Sequence, residues 1–141
     1  MRLTRGEKRR VAIASVAVLE PRVLIIDEPT VGLDYAEARS VLNTLRELNE
    51  KRGITVAIIT HDMRIVAEYA ERVVVMNDGR IVAEGSPREV FSKRLDELSK
   101  LSLLPPAPTV LAHRLKTAGF CLRSDVLTID EFVDEILRRM G

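Results

Sequence analysis

The sequence predicts an α/β protein in which a parallel sheet is flanked by helices and followed by a helical C-terminal appendix. Two apolar runs, residues 23–26 and 55–60, have the length of strands and lack the alternation of a half-exposed strand. Both runs therefore fit strands that are buried on two faces. Helical patterns alternate with them, which is typical of a parallel sheet. No strand-like run follows residue 85, and this predicts the appendix.

The first predicted helix covers residues 4–19. Thr4 and Glu7 have the spacing of a capping box at its start, and Pro21 follows as a stop. Apolar or small residues recur at helical spacing, so that one face is expected to be buried. That face contains Val11, Ala14, Ser15, Val18 and Leu19.

Cap and turn residues define the next elements. Asp34 and Glu37 predict a capping box at the start of a strongly periodic helix, which stops at Gly53. Residues 77–79 (N-D-G) lie between the short runs 73–76 and 80–84 and predict a β-hairpin. The first 85 residues therefore predict alternating strands and helices, followed by an antiparallel edge.

The appendix begins with another capping box, formed by Ser86 and Glu89. We expect Thr109 to cap a helix that stops at Gly119, and Thr128 to begin the last helix. An apolar stripe on that last helix packs either on its own domain or on another subunit, and both possibilities stay open. The stripe consists of Ile129, Phe132, Val133, Ile136, Leu137 and Met140.

Composition excludes several classes of protein. With 141 residues, 46% of them hydrophobic and 30% charged, the chain fits an ordinary globular domain with a core. A net charge of +1 gives no electrostatic case for nucleic acid. The apolar runs are far shorter than the roughly 18 residues that span a bilayer, so we expect a cytosolic chain. Cys121 is the single cysteine, which excludes an internal disulfide.

Two adjacent carboxylates, Asp27 and Glu28, end the first apolar run. In parallel sheets, ligands bind beyond the carboxyl ends of the strands. Asp27 is placed to hold Mg²⁺ through water, and Glu28 is placed to orient or deprotonate a water that attacks a phosphoryl group. His61 follows the second run directly, so it is expected at the same edge, where an imidazole can donate to a terminal phosphate.

The start of the first helix is a second candidate site. The first turn of a helix has free backbone N–H groups and a partial positive charge, which together favour an anion. Gly6 has no side chain and would let a phosphate approach the backbone closely. Thr4 and Glu7, in the same turn, could simply form the capping box of the helix.

Four segments resemble the nucleotide-binding subunits of ATP-binding-cassette (ABC) transporters. Residues 3–7 (L-T-R-G-E) are similar to the signature motif of this family, and residues 23–28 to its Walker B strand with the catalytic glutamate. Residues 31–34 resemble its D-loop, and His61 its switch histidine. Three later segments are similar to the energy-coupling-factor ATPases, the cobalt, nickel and vitamin importer group. These are G-S-P-R-E-V-F, L-P-P-A-P-T and L-T-I-D-E-F-V-D-E-I-L.

The resemblance implies a partial P-loop NTPase fold. Residues 1–85 would form the C-terminal part of an ABC nucleotide-binding domain, and residues 86–141 a helical extension that contacts a dimer mate or another partner. The implied cofactors are ATP and Mg²⁺. Glu28 and His61 would be catalytic, and Asp27 would hold the metal.

In this family two subunits face head to tail, and the signature helix of each closes on the ATP held by the other. The resemblance therefore implies that Thr4, Gly6, Glu7 and Asp34 bind the cofactor. Expected partners are a second ABC ATPase subunit, in a homo- or heterodimer, and integral membrane transport subunits, with no nucleic acid. The implied function is ATP-driven import, of metal ions or vitamins, by a cytoplasmic subunit held on the inner face of the membrane through its partners.

Two features depart from the family pattern. Arg5 stands where the family has a glycine and Thr4 where it has a serine, and the chain contains no Gly-Lys dipeptide. The phosphate loop G-x-x-x-x-G-K-S/T would therefore precede Met1. We expect no ATP turnover by the isolated chain. We also expect a sheet that exposes an apolar edge and face, and hence association.

Two other functions stay open. The chain could be a non-catalytic interaction module that keeps a cassette remnant as scaffold, and nucleotide binding would separate this from the ATPase hypothesis. It could also belong to a soluble cassette ATPase of DNA repair or chromosome handling. The lack of coiled-coil heptads and of a basic face argues against the latter.

Overall fold

The computed structural model describes residues 3–93, 95–101 and 103–140. It divides into two compact units, Met1–His61 and Asp62–Gly141. The first unit contains α1 (Arg5–Ala17), β1 (Val23–Asp27), α2 (Tyr35–Arg52) and β2 (Thr55–Ile59). The second contains α3 (Met63–Tyr69), β3 (Val73–Asn77), β4 (Arg80–Gly85), α4 (Pro87–Lys93), α5 (Leu95–Lys100), α6 (Ala107–Thr117) and α7 (Ile129–Met140). The domain boundary that we placed at residue 85 follows the family resemblance and stays a prediction.

The first unit has the α/β arrangement that the sequence predicts. Strands β1 and β2 pair in parallel, with Val23 opposite Thr55 and Asp27 opposite Ile59. One face of this sheet is covered by α1 and α2, whose apolar side chains form a core with those of the strands. The buried members of this core are Ile13, Leu24, Val41, Leu45 and Ile54.

The prediction that both strands are buried on two faces is wrong for the described chain. In β1, Leu24 is buried, whereas Val23 and Ile25 are 54% and 66% exposed. In β2 no residue is fully buried, and Ile59 is exposed. Successive side chains of a strand point to opposite faces, and the described helices cover only the face that carries Leu24. The expected exposure of an apolar sheet face is thus confirmed.

Helix α1 has the predicted cap but not the predicted buried face. Its buried residues are Gly6 and Ile13, whereas Val11, Val18 and Leu19 are exposed. Ile13 joins the core of the first unit. Several sides of this helix carry apolar residues, so the neighbouring elements decide which side is buried.

Helix α2 begins and ends at the predicted residues. Asp34 is its N-cap and accepts a hydrogen bond from the Glu37 N–H at 2.8 Å. Gly53 is its C-cap with φ of +66°, a left-handed conformation that glycine adopts without steric cost.

The second unit is built on the predicted hairpin. Strands β3 and β4 are antiparallel, and Asp78 and Gly79 both have positive φ, as the type I′ turn requires. Helices α4 and α5 pack on this hairpin and form the second core. Its buried members are Val75, Ala83, Val90, Phe91, Leu98 and Leu127.

Thr109 does not cap a helix, which corrects our prediction. It lies inside α6, whose N-cap position is Pro106. Thr109 is fully buried, and its hydroxyl donates to the Val126 carbonyl at 2.6 Å. A buried hydroxyl needs such a partner, so this threonine ties α6 to the segment before α7.

Helix α7 begins after Thr128, whose hydroxyl accepts from the Glu131 N–H. Arg88 forms an ion pair with Glu131, and the Leu127 N–H also donates to that carboxylate. Partial burial raises the pKa of Glu131, but the hydrogen bonds from Arg88 and Leu127 outweigh it and hold the pKa below its ordinary value. These contacts fasten the start of α7.

Part of the α7 stripe is exposed. Ile129 is 70% and Leu137 61% exposed, and Val133 between them is also exposed. Glu135, on another side of the helix, is buried and accepts hydrogen bonds from the Arg123 N–H and from Arg139. None of the helices among the described residues is both long enough and apolar enough to cross a membrane.

Candidate functional site

The ends of β1 and β2 bring Glu28 and His61 together. Because the two strands are parallel and in register, both end at one edge of the sheet, and the residues that follow them are neighbours. The Glu28 N–H continues the ladder and donates to the Ile59 carbonyl at 2.9 Å. The expected proximity of these two residues at a strand edge is thus confirmed, although their chemical roles stay predictions.

Three hydrogen-bond donors converge on the Glu28 carboxylate. The His61 Nδ1 lies 2.5 Å from Glu28 Oε1, and the His61 backbone N–H donates to the same oxygen at 3.1 Å. The Thr60 hydroxyl donates to Oε2 at 3.1 Å. The Glu28 side chain is 29% exposed and that of His61 82%. The carboxylate is therefore fixed in direction, while the imidazole remains open to a ligand.

These contacts keep Glu28 ionised. Partial burial raises its pKa, but the hydrogen bonds from the His61 ring, the His61 N–H and the Thr60 hydroxyl hold the pKa below its ordinary value. Stability gained from these bonds is present above the pKa of the unfolded chain and is lost as pH falls through the folded value. At neutral pH the group is a carboxylate that accepts hydrogen bonds.

Asp27 is the last residue of β1 and is exposed. Mg²⁺ keeps several of its waters and takes one or two protein carboxylates together with substrate phosphates. One exposed carboxylate at a strand end therefore fits this ion. Among the described residues, no group of three or more His, Cys, Asp or Glu side chains could hold a metal by itself.

The start of α1 is a complete capping box. The Glu7 N–H donates to the Thr4 hydroxyl at 3.1 Å, and the Thr4 N–H donates to Glu7 Oε2 at 2.8 Å. Thr4 and Glu7, both predicted to bind cofactor, are thus bonded to each other's backbone. Their predicted contact with phosphate is untested by this geometry.

Gly6 has a packing role that the sequence did not predict, and its predicted role at a phosphate stays a prediction. It is buried, and a Cβ at this position would lie 2.9 Å from Glu37 Cβ in the first turn of α2. Glycine is therefore required for the approach of the two helices. Asp34 caps the same turn of α2, so its carboxylate and Gly6 both adjoin Glu37.

Arg5 extends from α1 toward the turn between β1 and α2. A Cβ at Gly32 would lie 3.3 Å from Arg5 Nη1, and Gly32 has φ of +75°. Both the close approach and the backbone conformation favour glycine there. The arginine that departs from the family signature thus lies beside the D-loop-like segment 31–34.

Thr60 is the site residue that sequence reasoning missed. The sequence predicts that it ends a strand and indicates no chemical role for it. A threonine directly before His61 is only a weak indication of a site residue, because the direction of its hydroxyl depends on where β2 ends. The structure places it on Glu28.

Comparisons with known proteins identify relatives of this chain. Residues 1–31 match the family model described as ABC transporter. The energy-coupling factor transporter ATP-binding protein EcfA1 of Caldanaerobacter subterraneus subsp. tengcongensis is 46% identical over 136 residues, which are 96% of this chain and 48% of that protein. EcfA of Methanothermobacter thermautotrophicus is 42% identical over 140 residues, 99% of this chain and 44% of its own length. The chain spans about half the length of these relatives.

Solved structures show the same fold. The structure of cbiO1 from Clostridium perfringens, part of the ABC transporter complex cbiONQ, is 44% identical with a TM-score of 0.59. It covers 70% of this chain, which corresponds to 42% of cbiO1. A dimeric, post-hydrolysis structure of the ATP-binding cassette MJ0796 with ADP and Pi is 33% identical, with a TM-score of 0.53. The match covers 60% of this chain and 36% of that one.

The strand edge, the capped helix and these matches define the class: the chain belongs to the ABC ATPase family and corresponds to the C-terminal half of an ABC ATP-binding subunit. Within that family its described relatives are energy-coupling factor transporter ATP-binding proteins. The predicted family and fold are confirmed.

Proposed function

We propose that this chain supplies the hydrolytic strand edge and the signature helix of an ATPase subunit that powers an ABC importer of the energy-coupling factor type. The observation that carries the proposal is the Glu28 carboxylate, held by Thr60 and His61 at the ends of two parallel strands. Phosphoryl transfer needs positioned charge and an oriented water at such an edge. The relatives, each an energy-coupling factor ATP-binding protein, support the narrower assignment.

Glu28 acts in this proposal mainly by orientation. A carboxylate with a lowered pKa is a weak base, so Glu28 orients a water for in-line attack by accepting its hydrogen bond and does not depend on taking its proton. The exposed ring of His61 would donate from Nε2 to a terminal phosphate oxygen; because Nδ1 already donates to Glu28, both bonds together require the protonated imidazole. Bound Mg²⁺ would neutralise phosphate charge, and Asp27 is the residue that would hold it.

The start of α1 serves the ATP of a second subunit. The Thr4 hydroxyl and the backbone N–H groups around Gly6 form a positive helix end that attracts phosphate. Glu7 keeps this turn in shape through the capping box, and Asp34 fixes the adjoining turn of α2. Thr4 and Gly6 are therefore proposed to contact the phosphate of the cofactor. Glu7 and Asp34 are proposed to support the two turns from which this contact is made.

The partners follow from the same proposal. A second ATPase subunit, identical or homologous, completes two ATP sites. Integral membrane subunits convert closure and opening of the pair into transport, and hold this subunit on the cytoplasmic face of the membrane. The transported substrates are metal ions or vitamins, as the resemblance to this importer group implies.

A chimera tests the proposal. The part of the Caldanaerobacter EcfA1 that this chain does not match is joined before Met1, and Mg²⁺-dependent phosphate release from ATP is measured. We expect turnover by the chimera and none by the isolated chain, since only the chimera carries a phosphate-binding loop. Turnover by the isolated chain would contradict the view that the loop is required. An inactive but folded chimera would contradict the ATPase proposal.

We further propose that the extension 86–141 contacts the second subunit through α7. Ile129, Val133 and Leu137 recur every four residues as an exposed apolar stripe. The first turn of α7 is acidic and its last turn basic. Two copies related by a twofold axis would pair antiparallel, with each acidic end against the basic end of the other.

Leu137→Asp tests this contact. We expect the chimera without nucleotide to sediment as a dimer. Each copy loses one leucine from the contact, so the variant should raise the dissociation constant roughly 100- to 10,000-fold, the equivalent of burying two leucines. Leu104→Asp is the control, because Leu104 is also exposed in the same unit and lies outside α7. Equal effects of both variants would show that α7 is not the contact.

A further inference from the structure

Glu28 has a backbone conformation that a glutamate rarely adopts. Its φ is +44°, in the left-handed region where a Cβ is crowded by the backbone. Such a conformation costs free energy and persists only where surrounding contacts hold it. The contacts around the Glu28 peptide groups therefore decide where its carboxylate points.

Backbone contacts and one arginine hold these peptide groups. The Glu28 N–H donates to the Ile59 carbonyl of β2. The Glu28 carbonyl accepts from the Val31 N–H at 3.4 Å and from Arg9 Nη2 at 3.3 Å. The residue is thus held by β2 on one side and by a side chain of α1 on the other.

The α1 side of this arrangement is anchored. Arg9 is partly buried, and its planar, charged guanidinium donates more strongly than a neutral group. The next residue, Arg10, donates to the Ser40 hydroxyl of α2 at 2.8 Å. Gly6 packs α1 against α2 one turn earlier. The Arg9 guanidinium therefore projects from a helix whose own place is fixed.

We propose that Arg9 is a positioning residue for Glu28: its guanidinium holds the Glu28 carbonyl, and with it the left-handed backbone that aims the carboxylate at His61. Arg9 touches no reacting atom in this assignment. Its consequence for hydrolysis rests on the proposed function. In the proposed function, α1 closes on the ATP of one site and Glu28 acts on the ATP of the other. The contact between Arg9 and Glu28 therefore links the two sites.

Amide hydrogen exchange measured by mass spectrometry on the full chain without nucleotide tests the positioning. Arg9→Met keeps the aliphatic stem and removes the donors. We expect exchange to accelerate roughly tenfold at the Glu28 and His61 amides, and to stay unchanged in the centre of α2. Arg9→Lys restores a charged donor and should restore part of the protection. Arg10→Met is the matched control, since it removes an arginine bond from the same helix without touching Glu28.

Two kinds of result would overturn the proposed role of Arg9. Unchanged exchange at both amides in Arg9→Met would overturn the proposal. Faster exchange throughout α2, loss of the helical circular dichroism signal, or the same change in Arg10→Met would assign Arg9 a merely structural role and overturn it equally.

In the chimera, we expect Arg9→Met to lower kcat roughly tenfold with little change in KM for ATP. An inactive parent chimera with a normal exchange response would refute the proposed function and leave the positioning intact. A changed KM with unchanged kcat would overturn the role in catalysis.

Discussion

Glu28→Gln should lower the ATP turnover of the chimera about 100- to 10,000-fold, the range typical of a residue that positions or takes a proton in the transition state. Glutamine preserves the size of the side chain, and its amide oxygen still accepts one of the bonds from Thr60 or His61. The negative charge that orients an attacking water is lost. We therefore expect kcat to fall while KM for ATP changes little.

Glu50→Gln provides the control for this substitution. Glu50 is an exposed carboxylate on α2, so its replacement changes the net charge equally and leaves the strand edge intact. Turnover of Glu50→Gln should match that of the parent. Residual turnover of Glu28→Gln close to the parent value would show that another group orients the water, and circular dichroism of both variants verifies that the fold is kept.

Single-turnover measurement separates the chemistry from nucleotide exchange. With enzyme in excess over ATP, the rate of phosphate formation in Glu28→Gln reports the hydrolytic step alone. We expect ATP to stay bound and uncleaved in this variant. Rapid cleavage followed by slow product release would instead place Glu28 in a later step of the cycle.

Local patterns in the sequence predicted those elements whose signals lie within a few residues. The capping box of Thr4 and Glu7, the cap at Asp34 and the stop at Gly53 are all present. Each depends on the chemistry of one turn, with no contribution from distant parts of the chain. Parallel pairing of β1 and β2 was predicted from the alternation of strands and helices along the chain, and it brings Glu28 to His61.

Burial was harder to predict because it depends on what covers a face. The apolar run of β1 indicates that Val23 and Ile25 favour burial, but no described element of the first unit supplies the cover. On α1 the apolar residues occupy more than one side, and packing selected Ile13. Periodicity identifies an apolar face without identifying its neighbour.

The shared strand edge of Glu28 and His61 was predicted, but the individual side-chain contacts between other distant residues were not. The Thr60 hydroxyl reaches Glu28 across 32 positions in sequence, and Arg9 reaches it across 19. Both contacts require the register of the strands and the path of the turn after β1, which no local motif encodes. The contact of Thr109 could not be predicted either. Its place in the sequence suggested a helix cap, but its hydroxyl donates to the buried Val126 carbonyl.

Phe91→Ala should lower the free energy of unfolding of the second unit by about 3–5 kcal/mol, the cost of removing a buried phenylalanine and leaving a cavity. Phe91 is fully buried in the core that also contains Val75, Leu98 and Leu127. These neighbours come from a strand, a helix and the segment before α7. Closing the cavity would require several of these elements to move, so we expect most of the cavity to remain. A domain of ordinary stability has roughly 5–15 kcal/mol in total.

Phe120→Ala is the matched control, because it deletes the same side chain from an exposed position of the same unit. Its expected effect on stability is within about 0.5 kcal/mol of zero. Urea unfolding followed by circular dichroism measures both variants, and a shift of the midpoint at constant slope identifies a change in stability. Equal losses in the two variants would mean that Phe91 is not the centre of this core. Phe91 is buried in the core of the unit that carries α7. Under the proposed α7 contact, a loss on the expected scale should therefore also weaken dimerisation of the chimera, and with it the ATP turnover that needs both subunits.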